Sequence, residues 1–587
     1  MKPSAPTLLA AIPIAWAALP PRTVDLERHV ASLLPEATVL YVEAPGAREL
    51  FVDGLRHPLV ATLLRSPVGE LVRERTKVPP AMALGMLNLW AGRPVLPTLA
   101  SMTEGGFAAG VVPRVGDEPE VLCIAARGDA TVWREAVELA MTKIAEARGL
   151  PLDKVVPPHR RIRGMDVWLL GDSGALALED GVFLASNDEE TLRSMIDLGA
   201  APEPGGLGAR ASFRAARPGT GADPFAWAWA DLDGMQAAGM ELEELREVAG
   251  APGAHLALGS MVAVLASARE AVLELDVGAD RIHVSLTGRG VEDGVGRELL
   301  APLDGSAPPL PAGTPAEAAR GVVYRDLAGL FRHRVELFPP EAQPRFAEAA
   351  SNLALFFEGA DVAEDVLPGI DPWIGFVARE VEFDRRAVPE VPLPAAAAVL
   401  RLREPDVLGP RLVTAFQSFL AILNVQAAQE QQPGLTLSLE MHGGRTITLG
   451  RFRTPAEDEG VDVRYNLVPA CTVAGDAFVI GTHVALVRDV AAQLDAGELG
   501  EPPAGETLSI SGPRLAEVVR ANREALAMNA VLNEGKTEEE ADADVAGILA
   551  VAEVVETLSV ATSRPSADDL RVELSLALVV EPAEEDR

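Results

Sequence analysis

The chain has 587 residues, 48% of them hydrophobic and 23% charged, and 51 Lys+Arg against 86 Asp+Glu leave a formal charge of −35. At roughly 100–200 residues per domain, that length predicts more than one core, and the hydrophobic fraction argues against wholesale disorder. The negative charge opposes recognition of a phosphate backbone, which needs Lys and Arg to displace counterions, and adsorption to an anionic membrane surface. It reads first as a source of solubility.

Taken in chain order, the first feature is Lys2 followed by an apolar run over 8–15 and the small-x-small step Ala15-Trp16-Ala17. This pattern predicts a signal peptide over 1–18 and hence an extracytoplasmic location, periplasmic or secreted. No later stretch offers ~20 uninterrupted apolar residues, and the best one, 256–268, is broken by Gly259 and Ser260. No membrane span is expected. Only Cys123 and Cys471 are present. They sit in opposite halves, Cys123 within an apolar strand, and read as two separate buried thiols rather than a bridge.

The strongest signal is internal similarity. An apolar strand ends in Val39-Leu40-Tyr41 in one half and in Val322-Val323-Tyr324 in the other, and Leu50-Phe51 is answered by Leu330-Phe331. Trp90-Ala91-Gly92 and Trp373-Ile374-Gly375 follow at the same interval as the tyrosines. Each half then has a strand and a helix: 121–126 with 132–147, and 396–402 with 410–423. Further on, Asp180-Gly181-Val182-Phe183-Leu184 resembles Asp476-Ala477-Phe478-Val479, with a helix after each. Strands over 281–286 and 571–576 close the halves. The order predicts two tandem homologous units, 30–300 and 301–587, joined through a Pro/Gly-rich segment near 300–315. Other loops are expected at 199–223 and 454–461, and a charged link between two helices at 533–544.

Within a unit, 166–170 and 176–186 read as paired strands with a hairpin at Asp180-Gly181. Helices are expected at 133–148, 242–248 and 515–531. The fold class is therefore α+β, each unit a mainly antiparallel sheet with helices packed on one face. The segment from Leu33-Leu34-Pro35 to Val39-Leu40-Tyr41, followed by Asp180-Gly181-Val182-Phe183-Leu184-Ala185-Ser186-Asn187 and a helix, resembles a family of large secreted or envelope-associated bacterial proteins that share a domain of unknown function. The resemblance implies an extracytoplasmic location and a repeated mixed fold, and it brings no catalytic residues with it.

The search for chemistry is mostly negative. The eight histidines show no HExxH spacing, and no metal or other cofactor is expected. Gly171-Asp172-Ser173-Gly174 matches the tetrapeptide around a serine-protease nucleophile but lacks its partners, and reads as a turn. The segment 530–537, ending Gly535-Lys536-Thr537, mimics a phosphate loop, but it follows a helix and precedes three glutamates. Arg160, Arg161 and Arg163 form the densest basic spot, an anion contact if they converge and a solvated loop if they do not. Trp90, Trp373, Tyr41 and Tyr324 are simplest as core anchors, and as functional residues they would mark a repeated pocket or interface. The expectation is a non-enzymatic binding or scaffolding protein with a protein or apolar small-molecule partner. A carrier of apolar ligands, with a cavity of several hundred Å³, and a hydrolase assembled only in three dimensions are the alternatives.

Overall fold

The structure, a computed structural model, describes residues 29–45, 60, 80–114, 120–170, 174–201, 205–218, 224–240, 251–259, 267–278, 280–291, 299–303, 307–384, 387–453 and 461–579. The signal segment, the Leu50-Phe51 pair, the helix at 242–248 and Gly171-Asp172-Ser173 lie outside the described residues. The chain divides into two compact units. The first comprises Met1–Glu244, Ala268–Gly290 and Val580–Arg587, and the second Leu245–Ser267 and Val291–Val579.

The first unit contains strands β1 (Leu40–Glu43), β2 (Gly106–Val112), β3 (Val121–Arg127), β4 (Arg160–Ile162), β5 (Met165–Leu169), β6 (Ala175–Glu179), β7 (Val182–Ser186), β8 (Ala226–Asp231), β9 (Glu270–Val277) and β10 (Arg281–Arg289). They pair antiparallel in the order β4-β5-β6-β7-β3-β2-β1-β8-β9-β10. Asp180 and Gly181 both have positive φ, 45° and 75°. That is the paired left-handed geometry a two-residue hairpin requires, as the Asp-Gly step predicts. Its longer described helices are α1 (Pro80–Ala91), α2 (Val95–Met102), α3 (Ala130–Arg148) and α4 (Glu189–Ala200). Asp129 caps α3 by accepting from Thr131 N at 2.8 Å and Val132 N at 3.0 Å, and Gly149 ends it in the left-handed region. This is the expected Asp-start, Gly-stop grammar of a helix.

The second unit contains β11 (Glu317–Tyr324), β12 (Ile370–Arg379), β13 (Ala395–Leu402), β14 (Thr436–His442), β15 (Arg445–Arg451), β16 (Ala470–Ala474), β17 (Ala477–Gly481), β18 (Glu506–Ser511), β19 (Val555–Ser566) and β20 (Asp569–Leu578). Their antiparallel order is β14-β15-β16-β17-β13-β12-β11-β18-β19-β20. Among the described residues β14 pairs with β15 alone, and its Leu437, Leu439 and Met441 are 46%, 63% and 69% exposed. The unit's longer described helices are α5 (Gln343–Ala354), α6 (Pro405–Gln429), α7 (Val484–Ala496), α8 (Gly512–Ala521), α9 (Arg523–Glu534) and α10 (Glu538–Val554).

The mixed helix and antiparallel-sheet architecture agrees with the α+β expectation, with one correction. Helices cover both faces of each sheet, not one. In the first unit, α3 packs Trp133, Val137 and Met141 on Ala126, Trp168, Leu176 and Leu178. On the other face, α4 packs Leu192, Met195 and Ile196 near Cys123, Ala125, Ala177 and Leu184. In the second unit, α6 and α7 divide the faces in the same way. The sign was in the strands, since Ala175 to Leu178 are buried without alternation, as strands covered on both sides must be.

Two further boundaries differ. The single helix expected at 515–531 breaks at Asn522, whose side chain donates to Val518 O at 2.9 Å and Pro392 O at 2.8 Å and so is drawn out of the helical run. The expected charged link at 533–544 is mostly helix, because Thr537 and Glu540 form a capping box that starts α10. The phosphate-loop lookalike is thus a helix end and a short turn. Cys123 and Cys471 are both buried free thiols, as expected.

Candidate functional site

α6 carries an apolar stripe at helical spacing. Leu408, Leu412, Phe416 and Leu420 are buried, and they pack on Leu402, Cys471 and Phe478. The stripe continues past Leu420 to Leu423 and Ala427, where β13 presents the small side chains of Ala396 and Ala398. A cavity of about 810 Å³ opens between the C-terminal half of α6 and the sheet. Phe416, Phe419, Leu423 and Ala427 form its roof. Phe376, Ala396, Ala398 and Ile480 line it from the strands, and Leu435, Phe452, Leu467 and Pro469 from the loops. Gly321 stands opposite Phe376 in the β11–β12 register, and a Cβ there would collide with that ring and with Thr507 O, so the glycine sets where the Phe376 wall stands.

Several polar groups at the cavity are engaged within the protein. Asn424 clips the end of α6 to the following loop, donating to Leu435 O at 2.7 Å and accepting from Leu435 N at 2.6 Å. The Thr482 hydroxyl accepts from Ala396 N at 2.9 Å. Arg464 lies over the Phe452 ring at 6.0 Å, shares its Nε with both Asp462 oxygens at 2.9 Å, and donates through Nη1 to Gln432 at 3.2 Å. The hydrogen bond from Arg464 holds the Asp462 carboxyl below its usual range. Volume and lining match what an apolar small molecule needs, a mainly hydrocarbon wall with a few fixed polar points. α6 is also the one described helix long and apolar enough to cross a membrane by length and composition, a run longer than the 256–268 stretch singled out in the sequence.

The residues expected to matter are dispersed. Tyr324 and Trp373 face each other across β11 and β12 with ring centroids 5.2 Å apart, and Trp373 is buried. Tyr41, fully buried on β1, meets Phe213 and Trp227 and lies opposite Gly110. Trp90 lies in α1, and its side chain falls outside the described part. The two Trp-x-Gly segments thus occupy different kinds of element, a helix and a strand. Arg160 pairs with Glu189, Arg161 with Asp166 and Glu179, and Arg163 with Asp197. Each guanidinium already has its carboxylate, and the three do not converge.

Two buried polar clusters escaped sequence reasoning. In the first unit, Glu43 lies 2.7 Å from His29 Nε2 and accepts from Tyr41 Oη and Trp227 Nε1, each at 2.9 Å. Burial works to raise the Glu43 carboxyl, but the His29 contact, the Arg217 charge and the Tyr41 hydroxyl outweigh it and hold it below its usual range. Burial and the nearby Glu43 charge push the Tyr41 hydroxyl well above its ordinary value. In the second unit, buried Arg325 meets Glu506 at 2.7 Å and also donates to the carbonyls of Tyr324, Leu256 and Ala257. Glu43 and Trp227 are far apart in sequence, so only the strand order β2-β1-β8 could have paired them. No group of three His, Cys, Asp or Glu suited to a metal ion occurs among the described residues.

No family model, no curated protein and no solved structure matches the chain.

Proposed function

We propose that the protein is a non-enzymatic extracytoplasmic binding protein that holds an apolar small molecule beneath α6. The cavity of about 810 Å³ with its Phe, Leu and Ala walls carries this reading. Its size falls within the range of small-molecule sites, roughly 300–1,000 Å³. Of the sequence-level alternatives, the apolar carrier is therefore preferred. The hydrolase reading is weaker, because the His29–Glu43 contact is buried within the first unit and already engaged by Tyr41 and Trp227, and so leaves no open face for a reacting group.

We read the chain further as a duplicated unit. The ten strands of each unit follow the same order, β1 to β10 corresponding one by one with β11 to β20, and α3 and α6 follow the equivalent strands β3 and β13. The signal-like segment over 1–18 and the resemblance to secreted or envelope-associated proteins support the location. Residues 30–300 and 301–587 remain the proposed extents of the two copies.

The test is binding of an uncharged fluorophore, N-phenyl-1-naphthylamine, to the purified protein. Saturable enhancement that is lost in Ala427→Trp, which places a large ring in the cavity roof, is the expected result. Absent or unsaturable binding, or full binding by the filled variant, removes the reading. N-terminal sequencing of protein from cells tests the location, since a retained Met1 contradicts it.

A further inference from the structure

We infer that the cavity beneath α6 selects uncharged ligands, hydrocarbon-rich molecules whose polar end is a hydroxyl or ester, and discriminates against fatty-acid carboxylates; this rests on the apolar-binding reading above. Arg464 is the one cation among the described lining residues, and a carboxylate entering the site would need it. Its Nε and Nη2 are committed to Asp462 and its Nη1 to Gln432, while its flat face covers Phe452. Glu430, also in the lining, adds a second negative charge to that of Asp462. An anionic head therefore finds one positive charge set against two negative ones, and it must lose hydration without gaining a counter-charge.

The remaining polar points favour the same class. Asn424 and Thr482 are already bonded to the backbone at Leu435 and Ala396, and neither carries a charge to meet an anion. A hydroxyl or ester can stay at the mouth among Gln426, Gln432 and solvent with little penalty, whereas a carboxylate there faces Glu430. The recognition is therefore negative as well as positive, with a repelling charge placed where the wrong head group would sit.

Competition against N-phenyl-1-naphthylamine tests this, using decan-1-ol and decanoate at pH 7.5, well below the concentration at which decanoate forms micelles. Decan-1-ol is expected to displace the dye at least tenfold more effectively than decanoate. In Asp462→Asn, which removes the charge facing Arg464, and in exposed Glu430→Gln, the gap, taken as the ratio of the two competitors' affinities after correction for each variant's own dye affinity, should narrow at least fivefold. Decanoate competing as well as or better than the alcohol overturns the inference and leaves apolar binding intact. A wild-type protein that binds no dye overturns both. A gap unchanged in both variants overturns the assigned role of Asp462 and Glu430.

Discussion

Arg325 illustrates how one side chain can hold distant parts of a unit together. Its guanidinium reaches the carbonyls of Leu256, Ala257 and Tyr324 and the carboxylate of Glu506. Gly259, at φ 51°, leaves the room it needs, because a Cβ there would run into the guanidinium. Removing one partner of a buried pair strands the other charge, at a cost of about 3–5 kcal/mol, whereas replacing both by apolar groups is often neutral. Arg325→Met is accordingly expected to lower the unfolding free energy by that amount, and the Arg325→Met/Glu506→Met double variant to recover most of it. Urea titrations at pH 7 check both, and equal losses in the single and double variants would contradict the account. Such a residue is invisible in the sequence. Arg325 follows Tyr324 at a strand end like any surface arginine, and nothing local distinguishes it from Arg401, which pairs in the open with Asp476.

At the scale of elements, α7 carries a titratable cap. His483 Nδ1 accepts from Ala485 N at 3.2 Å, which requires that nitrogen to be unprotonated. Burial, and then the charges of Arg451 and Arg488, lower its pKa from the ordinary value. A folded-state value below the unfolded one makes the unfolded chain bind the extra proton first, so the contribution is complete above about pH 6.5 and is lost as pH falls through the lower folded value. His483→Asn keeps a capping acceptor without the titration. Stability of the wild type is expected to fall relative to that variant on acidification from pH 7 to pH 5. Thermal melts across that interval measure it, and parallel pH profiles would refute the link.

Elements were also where the sequence was most readable. The Asp180-Gly181 turn and the strands on either side of it each carry a local chemical signature, whereas α3 begins at Ala130, capped by Asp129, earlier than the expected start at 132 or 133. The length of α6 did not, because Pro410 resembles a helix start and the chain has an equally suitable one at Pro405, where the helix begins. The cavity depends on that unread length. Alanines at 396 and 398 announce small side chains, but only the overhang of α6 leaves the space above them unfilled. The helices on both sheet faces were misjudged for a related reason, since burial on two sides erases the alternation that reveals a face.

For the molecule as a whole, the two cysteines give a direct handle. Burial pushes both thiols up to about 12, with the Asp188 charge adding to it at Cys123. Thiolates are the reactive form, so neither should react with a thiol reagent at pH 8 in the folded protein. Two equivalents per chain should appear on addition of denaturant, and reductant should leave the thermal midpoint unchanged. A fast-reacting thiol in the native protein, or a midpoint that drops with reductant, would contradict this arrangement.

The bare flank of β14 also bears on handling. Among the described residues no strand pairs with its backbone donors and acceptors on that side, and Leu437, Leu439 and Met441 line up beside them on one face. An open border of this kind is a template on which further chains can add by the same ladder that built the sheet. The mutual repulsion of chains carrying −35 each restrains that growth, and salt screens such repulsion over a Debye length of about 8 Å at 0.15 M. Shelf life should therefore depend on ionic strength in an unusual direction, with dilute buffer keeping the protein clear and added salt bringing on turbidity.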